Sequence, residues 1–225
     1  MRQAIQKTRY AAAFIITMLI FFFGFFMGLI MQYERSEMML DELNEVKLEY
    51  SNVLLQYRYT SELSDNKDCS SLSNVFWSQM KNLNKQSQRI QDYSVENKIS
   101  DEDYKQLREA YTISQIDYWL LSKKIKSLCN LNYTNILYFF DNEEDCPLCI
   151  DQGLHLDFLK KRLAEDVLIF ALDGNEKGII ELLKQQYEVV KYPVLVIDEE
   201  VYGFQKSSQL VSYLCNRGNQ EACEV

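Results

Sequence analysis

The spacing of hydrophobic positions changes several times along this chain. From Ala11 to Met31 there is no charged residue. As a helix rising 1.5 Å per residue, that stretch reaches roughly 31 Å, about the thickness of a bilayer core. Beyond it, Met39, Leu43, Val46, Tyr50, Val53 and Tyr57 alternate steps of four and three. That is a short heptad seam within one helix running from Glu34 to about Tyr59. Residues 60–73 are polar and read as a loop that includes Cys69. A second helix over about 72–92 carries Phe76, Met80, Leu83 and Ile90 on one side. After a polar break, Ser100-Asp-Glu-Asp103 supplies an N-cap and an acidic first turn. The helix it opens has Tyr104, Leu107, Tyr111, Tyr118, Leu121, Ile125 and Leu128 along one stripe. The short connection predicts an antiparallel hairpin of these two helices.

From residue 135 the pattern becomes short apolar runs alternating with helical stretches. Asn135–Asp141 reads as a buried strand, and 147–164 as a helix with Ile150, Leu154, Phe158 and Leu163 at helical spacing. Asp166–Leu172 is a second strand and Lys177–Tyr187 a helix. Pro193–Asp198 is a third strand, Glu199-Glu200 a tight turn, and Val201–Phe204 a fourth strand. Ser207–Cys215 is the last helix. The order is βαβαββα, an α/β class, with the first crossover making its two strands parallel.

Candidate chemistry sits where the first of these strands turns into a helix, at Cys146-Pro147-Leu148-Cys149. Unpaired backbone N–H groups and the helix dipole favour an anion there. A thiolate at Cys146, the reactive form of cysteine, is therefore stabilised. Pro147 suits the first helical turn, where a missing N–H costs nothing. Cys149 is one turn away, within reach of a mixed disulfide on Cys146, which outlines a dithiol–disulfide exchange site. His155, the single histidine, lies about 180° around the helix from Cys146 and reads as a surface or packing residue.

Composition narrows the partners. A net charge of −9 argues against nucleic acid, which needs a basic patch. Arg2, Lys7 and Arg9 precede the apolar span, whereas Glu34, Glu37, Asp41 and Glu42 follow it. The positive-inside rule then puts residues 1–10 in the cytoplasm, an uncleaved anchor at 11–31, and the rest outside the cell membrane. That compartment suits the remaining cysteines, 69, 129, 215 and 223, as structural disulfides; buried free thiols are the other reading. In an antiparallel hairpin the start of one helix lies beside the end of the other, which favours Cys69–Cys129. Cys215–Cys223 would pin the tail, contributing about 2.6 kcal/mol by chain entropy. Gly24 and Gly28 form a GxxxG pattern that serves helix dimers and also arises by chance. A homodimer through Gly24/Gly28 or through the 39–57 seam, or packing of the seam within one chain, all fit. Asn132-Tyr-Thr134 is a glycosylation sequon, a triplet common by chance.

The CxxC at a strand-to-helix turn, the βαβαββα order and the proline opening the third strand together resemble the thioredoxin-like superfamily. The likeness covers residues 134–225, preceded by a helical stalk and hairpin over 32–130. It implies that Cys146 is the attacking, more exposed thiol and Cys149 the buried resolving thiol. It also implies that Tyr192-Pro193-Val194 is a cis-proline loop lining a substrate groove, with Pro147 and Leu148 at the helix N-terminus, and that no cofactor or metal is required. The family's buried carboxylate beneath the resolving cysteine aligns with Phe140, while Asp141 falls on the other face. Asp141, Glu143, Glu144 and Asp145 form an acidic collar before Cys146 that reads either as opposing thiolate formation or as a solvated loop with no effect on the chemistry. The expectation is a moderate or reducing poise, with a Cys146 pKa not below about 5. The expected activity is thiol–disulfide exchange with cysteines of exported proteins or with a membrane redox partner. A redox-inert docking module is the alternative. Metal delivery is disfavoured, since two cysteines give half a tetrahedral site.

Overall fold

The computed structural model describes residues 10–30, 44, 48, 51–52, 55, 58, 69–96, 101–142, 144–217 and 223. The 39–57 seam residues and Glu143 lie outside them. The chain divides into two units, Met1–Glu45 and Val46–Val225. In the first, helix α1 (Tyr10–Ile30) is 21 residues long with a mean hydropathy of 2.6, long and apolar enough to cross a membrane. Its Thr17 hydroxyl donates to the Ala13 carbonyl (2.9 Å), so the polar group is satisfied within the helix.

The second unit contains α2 (Cys69–Glu96), α3 (Asp101–Cys129), β1 (Thr134–Phe140), α4 (Pro147–Leu163), β2 (Val167–Asp173), α5 (Ile179–Gln186), β3 (Val194–Ile197), β4 (Glu200–Tyr202) and α6 (Ser207–Asn216). The four strands form one mixed sheet in the order β2-β1-β3-β4. β1 and β2 run parallel, with Thr134 opposite Val167 and Phe140 opposite Asp173. β3 is antiparallel to β1, with Phe139 opposite Val194, and β4 is antiparallel to β3.

Alternation along β1 explains why both sheet faces are covered. Leu137 and Phe139 point to one face and join Leu168, Phe170, Leu172, Val194 and Val196 in a buried cluster with α2, α3 and α5. Ile136 and Tyr138 point to the other, with Leu195 and Ile197, under Leu156, Leu159 and Leu163 of α4 and Leu210 and Leu214 of α6. The stripes of α2 and α3 do more than close a hairpin. Phe76, Met80, Leu83, Trp119, Leu121 and Ile125 share the first cluster with the sheet.

Polar side chains of α3 complete this join. β2 is an edge strand, and its outer backbone groups need partners. Gln115 serves as one: its amide donates to the Ala171 carbonyl (3.0 Å) and its oxygen accepts from the Ala171 N–H (2.9 Å). At the other end of the sheet, Lys126 pairs with Asp198 (3.0 Å) and the Ser122 hydroxyl donates to the Asn135 side chain (3.0 Å). Cys69 and Cys129 are joined, with Cα atoms 5.5 Å apart, and Cys215 is joined to Cys223.

Two readings of the sequence need correction. Cys69 is not in a loop; it is the first residue of α2, held there by its bond to the end of α3. In α4 the apolar stripe Ile150, Leu154 and Phe158 faces solvent, and only Leu163 of the four is buried. The buried seam is Cys149, Gln152, Leu156, Leu159 and Leu163, spaced three, four, three and four. Both stripes are apolar, but only the second includes the cysteine that the strand-to-helix turn brings over β1.

Candidate functional site

The site is assembled at the end of the sheet where β1 and β2 finish. β1 ends at Phe140, and the chain must then reverse into α4. The Asn142 carbonyl does this by accepting the N–H of Asp145 (3.1 Å) and of Cys146 (2.8 Å). The Asp141 carboxylate accepts from the Asn142 N–H (2.7 Å) and from the Asn175 amide. Asn175 is in turn held by Asp173, whose carboxylate accepts its N–H (2.9 Å) and pairs with Arg108 of α3. The Gly174 N–H continues the ladder to the Phe140 carbonyl (2.8 Å). Thus the turn before the dithiol is fixed to the end of β2.

Cys146 is the N-cap of α4 and Pro147 the first helical residue. Cys146 and Cys149 are disulfide-bonded with Cα atoms 5.4 Å apart, inside the range such bonds occupy. Lys160, Lys161 and Arg162 fill the last turn of α4, so the helix carries charges that complement its dipole at that end. The expectation that Cys146 is the more exposed thiol does not hold in this disulfide form. Cys146 is 3% exposed and Cys149 5%, because the Asn142-centred turn folds Cys146 back against the helix start. Pro147 and Leu148 are the exposed part of the motif. Glu144 and Asp145 of the acidic collar are exposed as well, whereas Asp141 turns aside to Asn175.

Beneath the motif, the Tyr138 hydroxyl donates to the Cys149 carbonyl (2.6 Å). Burial pushes the Tyr138 phenol up to about 12, so it is a neutral donor across the physiological range. Phe140 does occupy the same sheet face and stacks obliquely on Tyr138, ring centres 5.5 Å apart. Gln152, fully buried one turn on, grips Gln205 by both its amide (3.0 Å) and its oxygen (2.7 Å). His155 lies beside the Phe204 ring (5.7 Å), on a different side of α4 from the sulfurs.

The Tyr192–Pro193 peptide is cis. Since Phe139 pairs with Val194, Pro193 comes level with Phe140, at the sheet end from which the dithiol turn departs. Val194 is buried between sheet and helices. The Tyr192 side chain turns to the residue that follows β2: its hydroxyl donates to the Gly174 carbonyl (3.2 Å), and Lys184 donates to the same oxygen (2.7 Å) while lying over the Tyr192 ring.

Three residues that the hydrophobic pattern passed over matter here: Tyr138, Gln152 and Gly174. Gln152 had a signal, a polar residue in the seam of α4. Gly174 had one too, in the Asp-Gly-Asn sequence that closes β2. A Cβ on Gly174 would overlap the Tyr192 ring. Gly174→Ala is therefore expected to expel that ring and cost about 1–3 kcal/mol by overpacking. Denaturant unfolding measures this, and the added change Tyr192→Leu should return part of the loss.

No family model matches the sequence, and no curated protein does. Several solved chains are similar to part of this one, two of which follow. One is a thioredoxin from Thermus thermophilus, 14% identical, with 46% of this chain matching 86% of that one at a TM-score of 0.33. The other, described as a malarial protein, is 21% identical, with 39% of this chain matching 99% of that one at a TM-score of 0.33.

Proposed function

We propose that the protein is a membrane-anchored thiol–disulfide oxidoreductase working outside the cytoplasm. Residues 1–10 are the cytoplasmic tail, 11–31 the anchor, 32–130 the helical stalk and hairpin, and 134–225 a thioredoxin-like βαβαββα domain. The observation that carries this reading is the Cys146–Cys149 disulfide at the start of α4, on the turn that leaves β1 at the sheet end where Pro193 stands opposite Phe140. The reaction follows from that geometry. With the pair reduced, the Cys146 thiolate attacks a substrate disulfide, expelling one substrate thiolate and forming a mixed disulfide. Cys149 then attacks Cys146, re-forming the internal bond and releasing the second substrate thiolate; two electrons have passed to the substrate. Run backwards, the same steps oxidise a substrate dithiol. Cysteines of exported proteins, or of a membrane redox partner that resets the pair, are the substrates.

One observation favours a second reading, a redox-inert docking module: both cysteines are buried residues. Catalysed reduction of insulin by dithiothreitol separates the two. The full-length protein in micelles should accelerate it well above the uncatalysed rate, and an inert module leaves it unchanged. Labelling of reduced Cys146 by an impermeant maleimide added outside intact cells tests the orientation.

A further inference from the structure

Tyr138 is the one site residue whose side chain and backbone address both halves of the site. Its hydroxyl reaches up to the Cys149 carbonyl (2.6 Å). Its backbone lies between Ala171 of β2 and Leu195 of β3, two residues from Pro193. The ring is buried and flanked by Phe140, so the phenol cannot swing away without unpacking that face. The first turn of α4 needs such a tie, because Pro147 and Leu148 are exposed and nothing presses on them from outside among the described residues. Phe140 has no polar atom to offer, and the Asp141 carboxylate is committed to Asn142 and Asn175.

We infer that Tyr138 is a positioning residue for the dithiol: by holding the Cys149 carbonyl, it keeps the Cys149 sulfur where it meets Cys146. It thereby sets the equilibrium of the pair and the speed at which Cys149 resolves a mixed disulfide. This rests on the exchange reading proposed above. In the oxidising direction the balance is two protein thiols plus glutathione disulfide giving the Cys146–Cys149 bond and two glutathione thiols. In its second step the Cys149–Cys146 bond forms as the Cys146–glutathione bond breaks, and the leaving thiolate takes a proton from water.

Loss of one buried hydrogen bond to the turn should weaken closure by up to about tenfold, near the upper end of what such a bond contributes. The full-length protein and its Tyr138→Phe variant are equilibrated with glutathione buffers, and the dithiol–disulfide constant is read from alkylated thiols by mass. The expected result is a constant about tenfold less favourable to the disulfide, a shift of about 30 mV for two electrons, with the glutathione mixed disulfide on Cys146 resolving several-fold more slowly. Ile136→Val removes a methyl group from the same buried face without touching the bond, and should lower stability while leaving the constant within about twofold. If Tyr138→Phe lowers the melting temperature equally in oxidised and reduced forms and leaves the constant unchanged, the role is merely structural and the inference is overturned. If the unaltered protein does not exchange with glutathione at all, it is the exchange reading that has failed, and the inference falls with it.

Discussion

Cys149→Ser is expected to begin disulfide exchange and never finish it, whereas Cys146→Ser does not begin it. The difference follows from where the two sulfurs stand. Cys146 caps α4, where the free N–H groups and the dipole favour its thiolate. Cys149 is within the first turn, its carbonyl tied to Tyr138 in the core. Removing Cys149 leaves the attacking sulfur and takes away its rescuer, so substrate should accumulate on Cys146 as a mixed disulfide. Removing Cys146 leaves a buried thiol with no helix-end stabilisation. Both variants should lose multiple turnover to the uncatalysed level, measured by insulin reduction. Only Cys149→Ser should give a covalent adduct on non-reducing gels that thiol reductant dissolves. Adducts of equal yield on both variants would mean that the assignment of roles is wrong.

The second large effect concerns stability. The Cys69–Cys129 bond closes a sequence separation of 60. By the chain-entropy relation a loop of that length contributes roughly 4 kcal/mol. Replacing both cysteines by alanine should lower the unfolding free energy by about 2–4 kcal/mol, since the relation often overstates the measured gain. The loss should appear in one transition for the hairpin and sheet together. α2 and α3 contribute Phe76, Trp119, Leu121 and Ile125 to the cluster that holds Leu137, Phe139 and Phe170, so neither layer keeps a dry core without the other. Urea unfolding followed by tryptophan fluorescence, which reports α2 and α3 through Trp77 and Trp119, and by far-ultraviolet circular dichroism should give coincident midpoints. Two separated transitions would mean that the hairpin folds on its own.

The long helices were the most legible part of the sequence. Phe76, Met80, Leu83 and Ile90 repeat cleanly and all are buried, as are Leu107, Tyr118, Leu121 and Ile125. The partner of that stripe was not legible. Periodicity tells which side of a helix is apolar and nothing of what covers it, so the joining of the hairpin to the sheet through Gln115 could not be read. Helix α4 misleads for a different reason. Its two apolar stripes compete, and Gln152 makes the buried one look the more polar. The cysteine spacing at 146 and 149 and the proline at 193 marked the candidate site directly, since each has few structural uses in such a position. Tyr138 gave no signal, because within Ile-Leu-Tyr-Phe-Phe any of the aromatics could lie under the dithiol until the register is known. The burial of Cys146 is not legible in the sequence because the hydrogen bonds of Asn142, which curl the turn, depend on a backbone path that composition does not specify.

The central claim is that Cys146 and Cys149 open and close reversibly while the other bridges stay shut. Its most direct measurement is a glutathione redox titration of the full-length protein, with each cysteine's state read by alkylation and mass. The account predicts a reversible two-electron transition confined to Cys146 and Cys149, with Cys69–Cys129 closed throughout. A pair that stays oxidised across the whole titration, or that opens only when Cys69–Cys129 opens too, would contradict it.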